Sequence, residues 1–131
     1  MQSNSISVFS DKYGVCRLDT HEEIPSWAKE GEFYSITKTR DELSVICLEK
    51  NIPASIRCER DWRIMKMEGP LDFSEIGILT GMITPLAQNG ISILAVSTFD
   101  TDYVLVKNDK LADARRVLEK TGFNILDLPA N

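Results

Sequence analysis

Cysteine, histidine and positive charge are all scarce in this chain of 131 residues, and each scarcity closes off a class of function. There are three cysteines, at 16, 47 and 58, an odd number with wide spacing, apolar neighbours and no CxxC pair. They read as reduced core thiols of a cytoplasmic protein, not as a disulfide framework, a metal cluster or a nucleophile. The single histidine, His21, sits in Asp-Thr-His-Glu-Glu, a solvated charged turn, and one histidine cannot build a multi-histidine metal site. No metal and no cofactor are therefore expected. Lysine and arginine number 15 against 20 acidic residues, for a net charge of −5 and a pI near 4.9. An acidic surface argues against DNA, RNA or anionic membrane as the main partner, because those affinities are built on Lys and Arg. No apolar run approaches the about 20 residues that a membrane helix needs. The first six residues lack the basic start and apolar block of a signal peptide. There is no Ser/His/Asp or Cys/His arrangement, no GxGxxG after a strand and no P-loop, so the chain is expected not to be an enzyme.

What is present is an ordinary globular composition, 43% hydrophobic and 27% charged, enough for one compact unit or two very small ones sharing a core. The organising stretch is Glu68-Gly-Pro-Leu-Asp-Phe-Ser-Glu-Ile-Gly77. The bulky segment 62–67 before it reads as a strand, and Gly69-Pro70 ends that strand because proline cannot donate to a ladder. Beyond it, Ile76, Leu79, Ile83 and Leu86 fall on one face of a helix predicted over 74–89, with Asp72 and Glu75 fitting a capping box. Pro85 predicts a bend in that helix, eased by Gly81 four residues earlier. Gly90 offers the left-handed position that closes it. Strands 91–97 and 103–107 follow, then a helix over 109–121 capped by Asn108 or Asp109 and closed by Gly122, then a strand 124–128.

The order βαββαβ predicts an α+β fold, a ferredoxin-like layer with helices on one face of an antiparallel sheet. Residues 1–60 read as a compressed version of the same plan. Extended pieces 6–9 and 13–18 precede a short helix candidate over 22–30, and a hairpin pairs 33–37 with 43–48. Thr39-Arg-Asp-Glu-Leu-Ser-Val-Ile-Cys aligns with Thr98-Phe-Asp-Thr-Asp-Tyr-Val-Leu-Val, 59 positions on, and Glu23-Ile-Pro aligns with Glu75-Ile-Gly, 52 positions on. The difference of seven is two helical turns missing from the first copy. The expected organisation is two ferredoxin-like modules, a truncated one over 1–60 and a complete one over 61–131.

Gly69-Pro-Leu-Asp-Phe73, Glu75-Ile-Gly-Ile-Leu79, Pro85-Leu-Ala87, Gly90-Ile-Ser-Ile93 and Ser97-Thr-Phe-Asp-Thr-Asp-Tyr-Val-Leu-Val106, taken in order, resemble the ACT domain. The resemblance is to the small stand-alone bacterial ACT proteins related to aspartate kinase regulatory domains, and to the eukaryotic cytosolic arginine sensor. It is strong over about 60–122 and extends more weakly to Trp27 and to 39–47. It implies an amino-acid-binding regulatory module, an allosteric sensor that works through paired ACT units. It also implies a ligand site where one unit's strand-to-helix loop meets another's hairpin. Carried over by position, the loop is Asp72, Phe73, Ser74, Glu75, Ile76, Gly77 and Ile78. The hairpin is Ser97, Thr98, Phe99, Asp100, Thr101 and Asp102. With no catalytic domain in the chain, output is expected through a partner chain.

A free amino acid carries both signs of charge. Backbone N–H groups opening a helix at 75–78 can take its carboxylate, with Gly77 permitting close approach. Asp72, Asp100 or Asp102 can take its ammonium, Phe99 and Ile76 can form the apolar wall, and Glu75 suits a basic side chain. Simpler readings stand beside these: Asp72 as a helix cap, and Asp100 and Asp102 as turn formers. Trp27 and Trp62 read as packing residues. The loop 69–75 has no arginine, unlike the phosphate loop of acylphosphatases on the same topology. Segments 91–96 and 103–106 hold one aromatic and no base, against an RNA-binding sheet. A second function class stays open, an oligomerisation or protein-interaction module whose ligand site has decayed. A homodimer is expected in either case, because open sheet edges invite pairing.

Overall fold

The computed structural model describes residues 5–68 and 78–129, with nothing described of the side chain of Ile78. The chain falls into two compact units, one formed by 1–10 with 63–130 and one by 11–62. Strand β5 (Cys58–Met67) gives its first half to the second of these and its second half to the first.

In the larger unit, β1 (Ser5–Val8), β5, β6 (Ile93–Ser97), β7 (Asp102–Lys107) and β8 (Asn124–Asp127) lie in the order β6-β7-β5-β1-β8. Helices α1 (Ile78–Gln88) and α2 (Leu111–Thr121) both pack on one face of it. The reason is the period-two alternation of the strands. Ile6, Val8, Met65, Met67, Val104 and Val106 meet Met82 and Leu86 of α1 and Ala114 and Leu118 of α2 in a single buried cluster. Leu86 and Leu118 are fully buried, each contributing about 1.5–3 kcal/mol of transfer free energy. The α+β architecture and the one-sided helices of the sequence reading are present.

Both helices end as the glycines predict. Gly90 (φ +73°) and Gly122 (φ +113°) adopt the left-handed conformation. In α1, Gly90 N–H reaches Ala87 O at 3.0 Å and Ile91 N–H reaches Leu86 O at 3.0 Å. In α2, Phe123 N–H reaches Leu118 O at 3.0 Å. This is the Schellman pattern, with Ile91 and Phe123 folding onto the same core as Leu86 and Leu118. Pro85 is accommodated inside one uninterrupted helix.

Two expectations are corrected, and one point that the sequence leaves open, the place of the last strand, is answered. The last strand does not complete an all-antiparallel ladder. β1 lies antiparallel to β5 (Ile6 opposite Met67), and β8 lies parallel to β1 (Ile6 beside Ile125), so β1 takes the place next to β5 that a fourth strand would hold. Asn108 does not cap α2. Residues Asn108–Lys110 form a 3-10 turn without a side-chain cap, and the Asn108 carboxamide oxygen instead accepts from Arg63 Nη1 at 3.1 Å. The helix expected over 22–30 is only a 3-10 turn, Ser26–Ala28. The Asp19 carboxylate accepts from His21 N–H at 2.9 Å and so turns the chain before it, and Pro25 confines the rest.

The smaller unit pairs β2 (Tyr13–Leu18) with β4 (Leu43–Leu48) and with the start of β5, and β4 with β3 (Ser35–Lys38). Its core gathers Cys16, Leu18, Leu43, Val45 and Cys47 beneath Ala28 and Ile52, with Trp27 packed against it. Trp62 is buried too, so both tryptophans are packing residues as read from the sequence. The 33–37/43–48 hairpin is present, and its register repeats that of β6–β7. Lys38 faces Leu43 and Ile36 faces Val45, as Ser97 faces Asp102 and Ala95 faces Val104, each 59 positions on.

Candidate functional site

The hairpin half of the expected site is the turn between β6 and β7. Thr98 closes it. Its N–H donates to Thr101 O at 2.9 Å, its hydroxyl donates to the same carbonyl at 3.1 Å, and its oxygen accepts from Thr101 N–H at 3.3 Å. The turn is therefore held by a threonine hydroxyl, not by Asp100 as the turn-former reading had it. Below the turn, the Ser97 hydroxyl donates to Asp102 Oδ1 at 2.5 Å. Phe99, 81% exposed, and Asp100 are carried at the tip in solvent.

Thr101 anchors this turn to the sheet. It is 4% exposed, and its hydroxyl donates to the carbonyl of Met67 near the end of β5. That carbonyl is available for a reason. Phe9 N–H reaches Ile64 O and Glu68 N–H reaches Ser5 O, which makes Ile6 and Met67 a non-hydrogen-bonded pair of the β1–β5 ladder. The Met67 carbonyl thus points away from β1 and meets Thr101. The hairpin is in this way tied to the residue two positions before the 69–77 segment. Asp72, Phe73, Ser74, Glu75, Ile76 and Gly77 themselves lie outside the described residues, as does the proposed Asp72–Glu75 capping box. Ile78 opens α1.

Glu68, given no role in the sequence reading, is the last described residue before that segment. Its carboxylate accepts from the hydroxyl of Ser7, a residue only 2% exposed, and lies 3.9 Å from Lys66 Nζ. Nothing local in the sequence marks this, because the partner is 61 residues away.

The smaller unit carries two concavities that the sequence reading missed. One, of about 560 Å³, is lined by Thr20, His21, Lys38, Thr39 and Arg40, beside the turn of its own hairpin. That turn repeats the other's chemistry. Thr39 N–H donates to Glu42 O at 2.9 Å, its hydroxyl donates to the same carbonyl at 3.3 Å, and its oxygen accepts from Glu42 N–H at 3.1 Å. Lys38 Nζ donates to Thr20 O, which ties the hairpin to the segment after β2. The other, of about 270 Å³, is lined by Arg17, Arg57, Glu42, Glu59 and Ser44 among others. Among the described residues, no group of three His, Cys, Asp or Glu side chains is placed to hold a metal ion, and no helix is long and apolar enough to cross a membrane.

The larger unit thus combines a strand-helix-strand-strand-helix-strand order, both helices on one sheet face, with a hairpin tied to the strand end before the first helix. Residues 57–120 of the chain match the ACT domain family, and residues 11–55 match an N-terminal domain family. The crystal structure of an Agobacterium tumefaciens protein is 40% identical, covers 97% of this chain and 95% of its own, and superposes with a TM-score of 0.91. The human cytosolic arginine sensor for mTORC1 subunit 1 is 38% identical over 60 residues, 45% of this chain. That match spans only 18% of the sensor's length. The regulatory subunit of aspartate kinase from Thermus flavus shares the fold, with a TM-score of 0.66 over 92% of this chain and 99% of its own at 9% identity.

Proposed function

We propose that this chain is a non-catalytic regulatory module that senses a free amino acid where its strand-to-helix loop meets a β6–β7 hairpin. The loop contributes Asp72, Phe73, Ser74, Glu75, Ile76, Gly77 and Ile78. The hairpin contributes Thr98, Phe99, Asp100, Thr101 and Asp102. The match to the ACT family supports a regulatory, amino-acid-binding role, and so does the likeness to a protein named as an arginine sensor. The observation that supports the reading is the Thr101–Met67 hydrogen bond, which ties the hairpin to the strand end that precedes residues 69–77. In this reading Asp100 takes the ammonium of the ligand, and backbone amides at the start of α1 take its carboxylate.

In this reading the chain works as a homodimer in the cytoplasm and passes its signal to a partner protein. Its two modules, over 1–60 and 61–131, descend from one plan. The matching hairpin registers and the matching threonine turns, 59 positions apart, support that relation. One observation favours a second reading, an interaction module with a decayed site: Phe99 at 81% exposure and Leu126 at 45% offer apolar surface for a protein contact.

Isothermal titration of the full chain with each common amino acid separates the two. Saturable heat for one or a few of them, lost in Asp100→Asn, supports the sensor. A dimer on light scattering with no heat for any of them overturns it and leaves the interaction module.

A further inference from the structure

We propose that Cys16 and Cys58 form a reversible redox modification site, a cross-strand pair in the smaller unit that hydroperoxides convert to an intrachain disulfide. The inference rests on the register of that unit and is independent of the amino-acid site.

Cys16 on β2 stands directly opposite Cys58 on β5. Arg17 N–H donates to Arg57 O at 3.0 Å, so the hydrogen-bonded positions of this ladder are 17 with 57 and 15 with 59. Cys16 and Cys58 are therefore a non-hydrogen-bonded pair, in which Cα atoms stand about 4.5 Å apart and side chains are closest. That spacing falls inside the about 4.4–6.8 Å over which a disulfide closes without backbone movement. Gly14 keeps the space beside them open, since a Cβ there would come within 2.7 Å of Cys58 Sγ. Cys47 on β4 faces Gly14 and so sits diagonally from Cys16, a less favourable reach.

The three thiols form one linked group. The Cys16 thiol feels both Cys47 and Cys58, and its ionisation is pushed up chiefly by Cys47, while the Cys58 thiol donates to Glu59 O at 3.5 Å. Cys47 is held below its ordinary value by Cys16. Burial, then Cys16, pushes Cys58 up to about 12, so it reacts slowly and only under sustained oxidant. Cys58 is also the half-buried member, whereas Cys16 and Cys47 are fully buried, so the oxidant meets Cys58 first. Its sulfur attacks the hydroperoxide, the O–O bond breaks, an alcohol or water leaves, and Cys58 becomes a sulfenic acid. The Cys16 sulfur then attacks Cys58, the S–O bond breaks, and water leaves with the Cys16 proton. Two thiols and one hydroperoxide give one disulfide, one alcohol or water, and one water.

The test treats the full chain with hydrogen peroxide, alkylates the remaining thiols under denaturing conditions and maps the peptides by mass spectrometry. The expected product is two hydrogens lighter before alkylation, takes one label, on Cys47, and yields a linked 16–58 peptide that dithiothreitol releases. Cys47→Ser keeps the link and Cys58→Ser abolishes it. Phenylarsine oxide, which condenses with two adjacent thiols and loses water, adds once to the wild type and protects both Cys16 and Cys58. It tests the same adjacency without an oxidant or a variant. Three labels after peroxide, a 16–47 link, a link between chains, or sulfinic acid at Cys58 with Cys16 still free overturns the proposal.

Discussion

Replacing Thr101 by valine keeps the side chain's shape and deletes one proton donor. In the folded chain that donor serves the Met67 carbonyl, and both residues are almost wholly buried, at 4% and 1% exposure. The valine leaves an acceptor without its side-chain partner in a place water does not reach, at a cost of about 1–3 kcal/mol. For a chain of this length each kcal/mol moves Tm by about 3–5 °C, so a fall of roughly 3–15 °C is expected by circular dichroism or dye-monitored melting. Serine at the same position retains the hydroxyl and loses a methyl, about 0.8 kcal/mol. The order of stability is therefore wild type, then Thr101→Ser, then Thr101→Val. Amide exchange should report where the loss falls: protection drops at the β6–β7 turn and at the end of β5, while the Schellman amides of Gly122 and Phe123 hold theirs. A Thr101→Val chain as stable as Thr101→Ser, or a loss spread evenly over the sheet, would refute the claim that this hydroxyl pins the hairpin.

Gly14→Ala drives a methyl to within 2.4 Å of Ile52 Cδ1 and 2.7 Å of Cys58 Sγ. Both are side-chain ends that can turn aside, so the cost sits at the lower end of overpacking, about 1–2 kcal/mol, read from the urea midpoint. An unchanged midpoint would show that the space beside Cys58 is not needed. Arg115 grips Asp127 on β8 through Nη1–Oδ1 at 2.6 Å and Nη2–Oδ2 at 3.3 Å, and this hydrogen bond holds the Asp127 carboxyl below its ordinary value. A depressed carboxyl contributes stability above its unfolded value near pH 4, and the contribution disappears as pH falls through the lower folded value. Asp127 is largely solvent-exposed, so screening leaves about 0.2–1 kcal/mol. Stability measured from pH 5 down to pH 2 should fall less steeply in Arg115→Ala, and equal slopes would remove the pair from the account.

Local signals carried most of the larger unit. The glycines at 90 and 122 announce helix ends because only a residue without Cβ takes that conformation cheaply, and the apolar period of 79, 83 and 86 announces the face of α1. What pairs across long stretches of chain was not legible. Nothing in Ser5–Val8 says that it lies between β5 and β8, because strand order follows from which faces the helices cover. The same blindness hid the thiols: sequence places Cys16, Cys47 and Cys58 far apart, and only register makes 16 and 58 opposite. In the hairpin the sequence leaves Asp100 and Asp102 open between ligand contacts and turn formers; the bonds that close the turn run between Thr98 and Thr101, and Asp102 accepts from Ser97 below it. Asn108 was lost as a cap because Arg63, 45 residues earlier, competes for its oxygen.

The two threonine turns bear on how one hairpin scaffold can present different chemistry. When the first residue's hydroxyl bonds both the carbonyl and the amide three positions on, the closing bonds of the turn do not depend on the side chains of the two central residues. Those positions are Arg40 and Asp41 in the smaller unit and Phe99 and Asp100 in the larger, and all four are exposed. The flanking pair differs as well, Lys38 with Leu43 in one and Ser97 with Asp102 in the other. One hairpin therefore shows a tip of one base and one acid beside a concavity lined by His21, and the other an aromatic and acidic tip on an identical register. Exchanging Arg40 for phenylalanine should leave the melting temperature unchanged, because the threonines and not the tip hold the turn. A substantial fall in Tm would show that the tip contributes to the fold and that the separation of scaffold from surface is false.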